Sequence, residues 1–374
     1  MAIMNAERGE SQARPESVLV VLPNWVGDVV LATPTLRALR QGFADADIVL
    51  LIKPYVGGLI AGSDWADEVV HWRGGRSRED RRRSFLGLAG DLRRRKFDLA
   101  VLLTNSFRSA LLTTLIGAKR RVGYDRDGRG LLLTDRLVAH RVNGQFVPIS
   151  MIRYYGAIAD YLGCRPDYDR IELFTEPSDE AAIDHLFEQY RIRSDRPVVV
   201  VNSGAAFGSA KCWPPERFGV VANRLVAELG VQVIVPCAPN ELEIVQAIRH
   251  EMNQPAVFLD DPILPLRHLK ALIRRADLLV TNDTGPRHFA CAFGRPVVTI
   301  FGPTDPAWTE TDYARERKLS VPVDCGPCMK RRCATDHRCM TRIGVDDVVA
   351  ACAELLGNGG PAGDPNRLEE SGKR

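Results

Sequence analysis

Short, fully apolar segments alternate with helical stretches along most of the chain, and this rhythm restricts the possible folds more than any other feature. In the first half, the β-branched run SVLVVLP is followed by DVVLATPTLRALRQGF, which has helical spacing, and then by the apolar run DIVLLIK. The segments DEVVHW, FDLAVLLT and RVGYD continue the series. Apolar strands separated by helices are typical of a parallel sheet that is covered on both faces. The first half therefore predicts an α/β domain.

The second half repeats this pattern with the predicted strands RPVVVVNSG, VQVIVPC, AVFLD, DLLVT and PVVTIFG. The helix PPERFGVVANRLVAELG between the first two is expected to end at Gly230. We predict two Rossmann-like domains that face a cleft, with ligands at the carboxyl ends of the strands. The expected domains are residues 17–170 and 197–356, joined by a linker at 171–196. The polar tails, 1–16 and 357–374, are expected to be disordered.

Composition excludes several classes of protein. The chain has 374 residues, of which 45% are hydrophobic and 26% are charged, as in a soluble globular protein of two domains. No apolar run approaches the roughly 18 residues needed to span a bilayer, and the N-terminus is too polar for a signal peptide. We therefore expect a cytoplasmic protein. The net charge of only +3 gives no argument for nucleic acid as a partner.

A local excess of positive charge stands out against this balance. Residues 71–100 contain ten Lys and Arg but only four acidic residues, and Arg81, Arg82 and Arg83 lie in the middle of the stretch. Two interpretations are open. The stretch is either a solvated helix face or a surface for an anionic partner, such as a phosphorylated acceptor or the inner membrane surface.

The loop LPNWVGDVVLATP, residues 22–34, occupies the place where a dinucleotide-binding domain carries G-x-G-x-x-G. It has a single glycine, Gly27, and the chain has no Walker lysine pattern, so nicotinamide and P-loop functions lose their main support. The remaining polar candidate is Asp28 at the start of a helix. It could be an N-cap or a general base, and the loop by itself favours the cap.

Two further loops follow predicted strands of the second half. In NSGAAFGSAKCWPPERF, small residues including Ser203 and Gly204 precede Lys211, so that a ligand could approach the backbone next to a mobile positive charge. In NDTGPRHFA, Asp283 or Thr284 is a suitable N-cap, and a helix is expected to begin at Pro286. A helix start of this kind is also an anion site, because its amides and dipole attract negative charge.

Together these loops carry a family resemblance. The blocks NWVGDVVLATPTLRAL, AKCWPPERF and NDTGPRHFACAFGRPVVTIFGPTDP resemble the signature blocks of glycosyltransferase family 9, the ADP-heptose lipopolysaccharide heptosyltransferases. The resemblance covers roughly residues 17–355, with the blocks in family order. It implies a fold of the GT-B type, in which the C-terminal domain binds the nucleotide sugar and the N-terminal domain binds the acceptor.

The resemblance also implies roles for single residues. Asp28 matches the proposed catalytic base of the family, and Lys211 matches the lysine that contacts the donor phosphates. The family glutamate that binds the ribose falls at Glu241 or Glu243. The small-residue loop and the later turn supply the other donor-binding candidates, Ser203, Gly204, Asp283, Thr284, Gly285 and His288. The acceptor site is open, with the basic stretch Arg81, Arg82 and Arg83 as its candidate.

The implied function is transfer of a heptose from ADP-L-glycero-D-manno-heptose to the lipopolysaccharide inner core by an inverting reaction. Because lysine and a helix dipole can stabilise the leaving diphosphate, we expect no catalytic metal. Two alternatives stay open: a family 9 transferase with another sugar or acceptor, and a nucleotide-binding sensor without activity. The expected partners are the donor, the core acceptor and, peripherally, the cytoplasmic face of the inner membrane.

A cysteine run near the C-terminus does not belong to these loops. CGPCMKRRCATDHRCM places Cys325, Cys328, Cys333 and Cys339 within 15 residues. The C-x₂-C pair suits a structural zinc ion, but the spacing of the second pair is looser than in ordinary zinc ribbons. Zinc ligands and structural thiols are both compatible with the run.

Overall fold

The computed structural model describes residues 14–74 and 78–357. The chain divides into two compact units, Met1–Ile171 with Ala307–Glu310, and Glu172–Pro306 with Thr311–Arg374. Each unit contains a parallel six-stranded sheet, which confirms the predicted α/β class with two Rossmann-like domains. Of the predicted disordered tails, only residues 14–16 and 357 fall within the described residues.

The sheet of the first unit consists of strands β1 to β6, which lie in the order β3-β2-β1-β4-β5-β6. Their bounds are Ser17–Val21, Asp47–Ile52, Glu68–His71, Leu99–Leu102, Arg120–Tyr124 and Asp135–Leu137. A small antiparallel pair, β7 and β8, spans Arg141–Val142 and Gln145–Phe146. Helices α1 to α6 span Val26–Leu31, Thr33–Gly42, Gly57–Ile60, Arg78–Arg93, Phe107–Leu115 and Met151–Tyr161.

The first predicted helix is divided into two. α1 ends at Leu31 and α2 begins at Thr33, with Pro34 in the first turn of α2. Proline lacks the N–H that a continuous helix would need at this position, so it is tolerated in a first turn and interrupts an interior. As a result, α1 is a single short segment that directly follows the loop after β1.

The first helix of the second unit is α7 (Pro177–Gln189), which lies within the predicted linker. Its sheet has the order β11-β10-β9-β12-β13-β14. The strands β9 to β14 span Val198–Asn202, Gln232–Pro236, Ala256–Leu259, Leu278–Asn282, Val297–Ile300 and Glu316–Leu319. Helices α8 to α13 span Pro215–Leu229, Leu242–Glu251, Leu266–Arg275, Gly285–Ala292, Arg338–Thr341 and Val345–Gly357.

The predicted end of α8 is confirmed. Gly230 follows the helix in the left-handed conformation, with φ 64°, which glycine adopts without a Cβ penalty. The core of this unit packs α8 and α13 on the sheet, around the fully buried Trp213 and Phe218. None of the helices among the described residues is both long and apolar enough to cross a membrane.

The strand orders of the two sheets indicate where each sheet is expected to bind its ligand. In each sheet, the chain runs outward in one direction and then returns to the middle, so that β4 lies beside β1 and β12 lies beside β9. Ligands of such sheets bind where the order reverses, beyond the carboxyl ends of the strands. The loops after β1 and β4, and those after β9 and β12, occupy these positions.

Candidate active site

The turn after β12 is held by the side chain of the last residue of that strand. Asn282 accepts a hydrogen bond from the backbone N–H of Trp213 at 3.1 Å and donates one to the carbonyl of Ser203 at 2.6 Å. Both partners belong to the loop after β9. The residues that the sequence placed in two separate loops are therefore tied together at the reversal of the second sheet.

Lys211 and Asp283 form the charged centre of this edge. The Nζ of Lys211 lies 2.6 Å from Oδ2 of Asp283 and 3.0 Å from its carbonyl oxygen, and Thr304 donates to the same Oδ2 at 2.8 Å. Burial by itself would raise the pKa of the Asp283 carboxyl, but Lys211 and Arg287 outweigh it and lower that pKa. Asp283 is thus an anion that fixes the position of the lysine.

The helix that follows, α11, begins at Gly285 and has Thr284 as its N-cap residue. The hydroxyl of Thr284 makes no capping bond to the backbone of the helix. It lies instead near polar side chains of the neighbouring strands, 3.5 Å from Nδ2 of Asn202 and 3.3 Å from the hydroxyl of Thr281. The first N–H groups of α11 are therefore not capped by their own threonine, as an anion-binding helix start requires.

A second buried ion pair connects α11 to strand β14. Arg287 is fully buried and donates to Glu316 of β14 at 2.6 and 3.0 Å, while Thr299 donates to the same carboxylate at 2.5 Å. Paired in this way, the two charges tolerate burial that would be costly for either one by itself. The pair attaches the start of the helix to the edge of the sheet.

His288 lies in the same helix and is uncharged. Its side chain is buried, and burial together with the nearby Arg287 lowers its pKa to about 3. Its Nδ1 has no hydrogen-bond partner among the described residues. A buried, unpartnered ring nitrogen is uncommon and is compatible with a ligand contact.

The structure separates the two candidate glutamates. Glu241 accepts a hydrogen bond from the N–H of Ala238 at 3.2 Å, and a Cβ added to Gly204 would lie only 1.7 Å from its Oε1. Burial raises the pKa of this carboxyl. Glu243 is exposed on α9. Glu241 is therefore the one that lies against the small-residue loop after β9.

In the first unit, Asp28 is not an N-cap. Trp25 occupies the N-cap position of α1, and Asp28 lies inside the first turn of the helix, half-buried. The N-cap interpretation was wrong because the N-cap position of this helix lies three residues earlier in the chain, at Trp25. Its carboxylate Oδ1 accepts a hydrogen bond at 3.1 Å from the hydroxyl of Tyr155 on α6. No pattern in the sequence indicated this partner, which is 127 residues away.

The remaining candidates lie elsewhere. Residues 81–83 belong to α4, but the structure does not describe their side chains. The role of Arg81, Arg82 and Arg83 in acceptor binding therefore stays a prediction. The four thiols of the cysteine run do not form a zinc site in this structure. No group of three or more His, Cys, Asp or Glu side chains that could hold a metal occurs within 14–74 and 78–357. Cys325 and Cys333 are exposed, whereas Cys339 is buried in the core.

Residues of the cysteine run contact the loop between β9 and α8, which carries Lys211 and is called the lysine loop below. The N–H of Ala210 donates to the carbonyl of Arg331 at 3.1 Å, and the ring Nε2 of His337 lies 2.8 Å from the carbonyl oxygen of Ala210. Gly208 has φ 152°, and a Cβ there would lie 2.3 Å from the Arg331 carbonyl oxygen. These contacts fix the backbone immediately before Lys211.

Comparison with known proteins identifies the family. The model of glycosyltransferase family 9 (heptosyltransferase) matches residues 85–338, more than half of the chain. The chain belongs to glycosyltransferase family 9. This glycosyltransferase is 28% identical to lipooligosaccharide heptosyltransferase 2 of Haemophilus influenzae, over 78% of this chain and 85% of that protein. It is also 28% identical to lipopolysaccharide heptosyltransferase 2 of Escherichia coli, over 78% of this chain and 84% of that protein.

Solved structures show the same fold. A family 9 glycosyltransferase from Veillonella parvula aligns with a TM-score of 0.78 at 22% identity, over 92% of this chain and 98% of that one. Escherichia coli ADP-heptose lps heptosyltransferase II aligns with a TM-score of 0.74 at 24% identity, over 91% and 98% of the two chains. Both likenesses show that this glycosyltransferase has the fold of the family.

Proposed function

We propose that this glycosyltransferase transfers a heptose from ADP-L-glycero-D-manno-heptose to the inner core of lipopolysaccharide. The names of the two relatives support the transfer of a heptose to lipopolysaccharide or lipooligosaccharide. The observation in this chain that carries the proposal is the pair of Lys211 and Asp283, which lies at the reversal of the second sheet next to the first turn of α11. A lysine and the amides of a helix start together suit the diphosphate of a nucleotide sugar.

The proposed reaction is a single displacement with inversion. Asp28 accepts the proton of the acceptor hydroxyl, the hydroxyl oxygen bonds to the anomeric carbon, and the bond from that carbon to the diphosphate breaks. The negative charge that develops on ADP is stabilised by Lys211 and by the amides of Thr284 and Gly285. His288 contributes its neutral ring to the donor site. Because these groups carry the charge, we propose that catalysis needs no metal ion.

Glu241 is the proposed contact for the ribose of the donor. Glu241→Gln removes the charge but keeps the shape, so we expect the KM for the donor to rise about tenfold, which corresponds to a weakened hydrogen bond to a charged acceptor. The carboxyl must be ionised to make this bond, and its pKa is raised. The KM for the donor should therefore also rise in the parent enzyme as the pH falls toward that pKa, but stay flat in the variant. Steady-state kinetics over pH measure both effects.

Glu243→Gln is the matched control because Glu243 is exposed in the first turn of α9, two residues after Glu241. Its KM should equal that of the parent. Equal increases for both variants would show that the ribose contact is wrongly assigned.

The acceptor is proposed to bind at the reversal of the first sheet, where a cavity of about 210 Å³ lies beyond β1, β2 and β4. Its lining includes Lys53, Trp72 and Arg108. The Nζ of Lys53 lies 4.6 Å from the centroid of the Trp72 ring, and the guanidinium carbon of Arg108 lies 5.5 Å from it. Burial, and then repulsion by Arg108, lowers the pKa of Lys53. An anionic group of the acceptor would relieve this repulsion between like charges.

Lys53→Ala is therefore expected to raise the KM for the acceptor about tenfold while leaving the KM for the donor unchanged, because it removes one charge-assisted contact. Lys119→Ala, which removes an exposed lysine of the same unit, is the control. Parallel increases in both KM values would mean that Lys53 supports the fold of the unit and does not contact the acceptor.

Contact with the cytoplasmic face of the inner membrane is a further part of the proposal. It rests on the ten basic residues of the stretch 71–100 and on the lipid nature of the proposed acceptor. Arg81, Arg82 and Arg83, which the sequence analysis names as candidates for acceptor binding, belong to the same stretch.

A donor screen tests the proposed function as a whole. The enzyme is incubated with a heptose-deficient core acceptor and with ADP-heptose or other nucleotide sugars, with and without excess EDTA. We expect turnover with ADP-heptose that EDTA does not reduce. Turnover only with another nucleotide sugar would indicate a different family 9 transferase, and binding without turnover would indicate a sensor. A strict requirement for added Mg²⁺ or Mn²⁺ would contradict the metal-free mechanism.

A further inference from the structure

The hydroxyl of Tyr155 donates to Oδ1 of Asp28 at 3.1 Å, across the packed helices α1 and α6. Tyr155 is only 3% exposed, and Asp28 is half-buried. Both residues belong to the first unit. This contact therefore joins a buried donor to the carboxylate that the proposed function uses as a base.

The ring of Tyr155 is held in place by two neighbouring tyrosines. It packs edge-on against Tyr154, with ring centroids 5.7 Å apart and an interplanar angle of 78°. Tyr154 in turn stacks on Tyr124 at 3.9 Å and 11°, and the hydroxyl of Tyr124 donates to the carbonyl of Tyr154 at 2.9 Å. Aromatic packing of this kind restricts the two torsions of a tyrosine. The hydroxyl of Tyr155 therefore has a defined position.

Tyr154 also makes a hydrogen bond to the loop after β4. The hydroxyl of Tyr154 donates to Oδ1 of Asn105 at 3.0 Å, and the buried guanidinium of Arg129 donates to that oxygen at 3.4 Å. Tyr154 and Tyr124 thus direct their hydroxyls to an amide and to a backbone carbonyl. Tyr155 differs from both because its hydroxyl meets a carboxylate.

We propose that Tyr155 is a positioning residue, whose hydroxyl orients the carboxylate of Asp28 for proton transfer. A bond to Oδ1 restricts rotation of the carboxylate, so that it keeps a defined orientation for proton transfer. The inference rests on the proposed role of Asp28 as the base. Burial, and then the charge of Asp28, raises the pKa of Tyr155 well above its ordinary value, so the hydroxyl stays a donor throughout the working pH range.

The hydrogen bond also affects the titration of Asp28. It stabilises the ionised carboxylate, so its removal raises the pKa of Asp28 and moves the acidic limb of the kcat profile to higher pH. The other titratable groups that influence Tyr155 are Tyr154, which raises its pKa, and Arg126, which lowers it. Both side chains are still present when only the hydroxyl of Tyr155 is removed.

Tyr155→Phe is the direct test. We expect kcat at the plateau to fall about tenfold, the acidic limb to move to higher pH, and the KM for the donor to stay unchanged. Tyr154→Phe is the matched control, since it removes the adjacent hydroxyl, which bonds to Asn105. The control should leave the acidic limb in place. A Tyr155→Phe enzyme with the parental pH profile would overturn the inference.

A second variant covers the case in which Tyr155→Phe fails to fold. Incorporation of 3,5-difluorotyrosine at position 155 keeps the ring and the hydroxyl but makes the hydroxyl a stronger donor. The acidic limb should then move to lower pH, and an unchanged limb would contradict the inference. Asp28→Asn distinguishes the role of Asp28 as the base from the role of Tyr155. If that variant is active, the base assignment fails, whereas if it is inactive and Tyr155→Phe is normal, only the role of Tyr155 fails.

Discussion

Replacement of Asp28 by asparagine is expected to reduce kcat by about 10²- to 10⁴-fold, because an amide cannot accept the proton of the acceptor hydroxyl. The fold should be retained. Asp28 lies inside the first turn of α1 and does not cap it, and the hydroxyl of Tyr155 can still donate to the amide oxygen of asparagine. Initial rates with saturating donor and acceptor measure the loss, and thermal unfolding measures the stability.

Two controls make this result specific. ADP binding by calorimetry should be unchanged, because the proposed donor residues belong to the other unit. Asp45→Asn, which changes an exposed aspartate of the first unit, should have parental kcat and Tm. An Asp28→Asn enzyme with parental turnover would leave the proposed mechanism without a base.

The second large effect is expected for Lys211→Ala. Removal of a charge that contacts the leaving diphosphate should cost about 2–4 kcal/mol of transition-state stabilisation, or roughly 30- to 1000-fold in kcat/KM for the donor. The variant should also be less stable, because the buried Asp283 loses its nearest cation and keeps Arg287 at 3.6 Å and the hydroxyl of Thr304. Kinetics and thermal unfolding are measured on the same preparation.

Lys318→Ala is the control that distinguishes a loss of stability from a loss of kcat/KM for the donor. Lys318 also lies beside a buried carboxylate of the second unit, with its Nζ 3.8 Å from Oε2 of Glu316. This control should lower Tm but leave kcat/KM for the donor close to that of the parent. If Lys211→Ala resembles the control, with reduced Tm and normal donor kinetics, then Lys211 supports the fold and the diphosphate binds elsewhere.

The sequence predicted the central strands and the second-unit loops because these depend on local pattern. β9 and β12 are continuous apolar runs, and both predicted loops follow the carboxyl ends of neighbouring parallel strands. Lys211 and Asp283 therefore meet although 72 residues separate them in the sequence. Because the carboxyl ends of parallel strands lie at the same edge of a sheet, the sequence was sufficient to predict that these two loops meet.

The elements and contacts that the sequence did not predict depend on tertiary context. The edge strand β14 has the sequence ERKL, which carries no apolar run, and it forms by pairing with β13. Its Glu316 and the partner Arg287 become buried only because they meet each other. Arg287 could have been singled out, since it lies within the NDTGPRHFA block. Tyr155 could not, because a tyrosine in an apolar helix gives no sign of the carboxylate that it contacts.

The contacts between the cysteine run and the lysine loop have a consequence for the thermodynamics of donor binding. The backbone at Ala210 is fixed by Arg331 and His337, more than 100 residues further along the chain. The loop therefore has its conformation before any nucleotide sugar arrives. A site that is already ordered loses little conformational entropy on binding, so more of the interaction energy appears as affinity. Substitution of His337, whose ring makes one of these contacts, should thus act mainly on the entropy of donor binding, although this side chain is not among the proposed donor contacts.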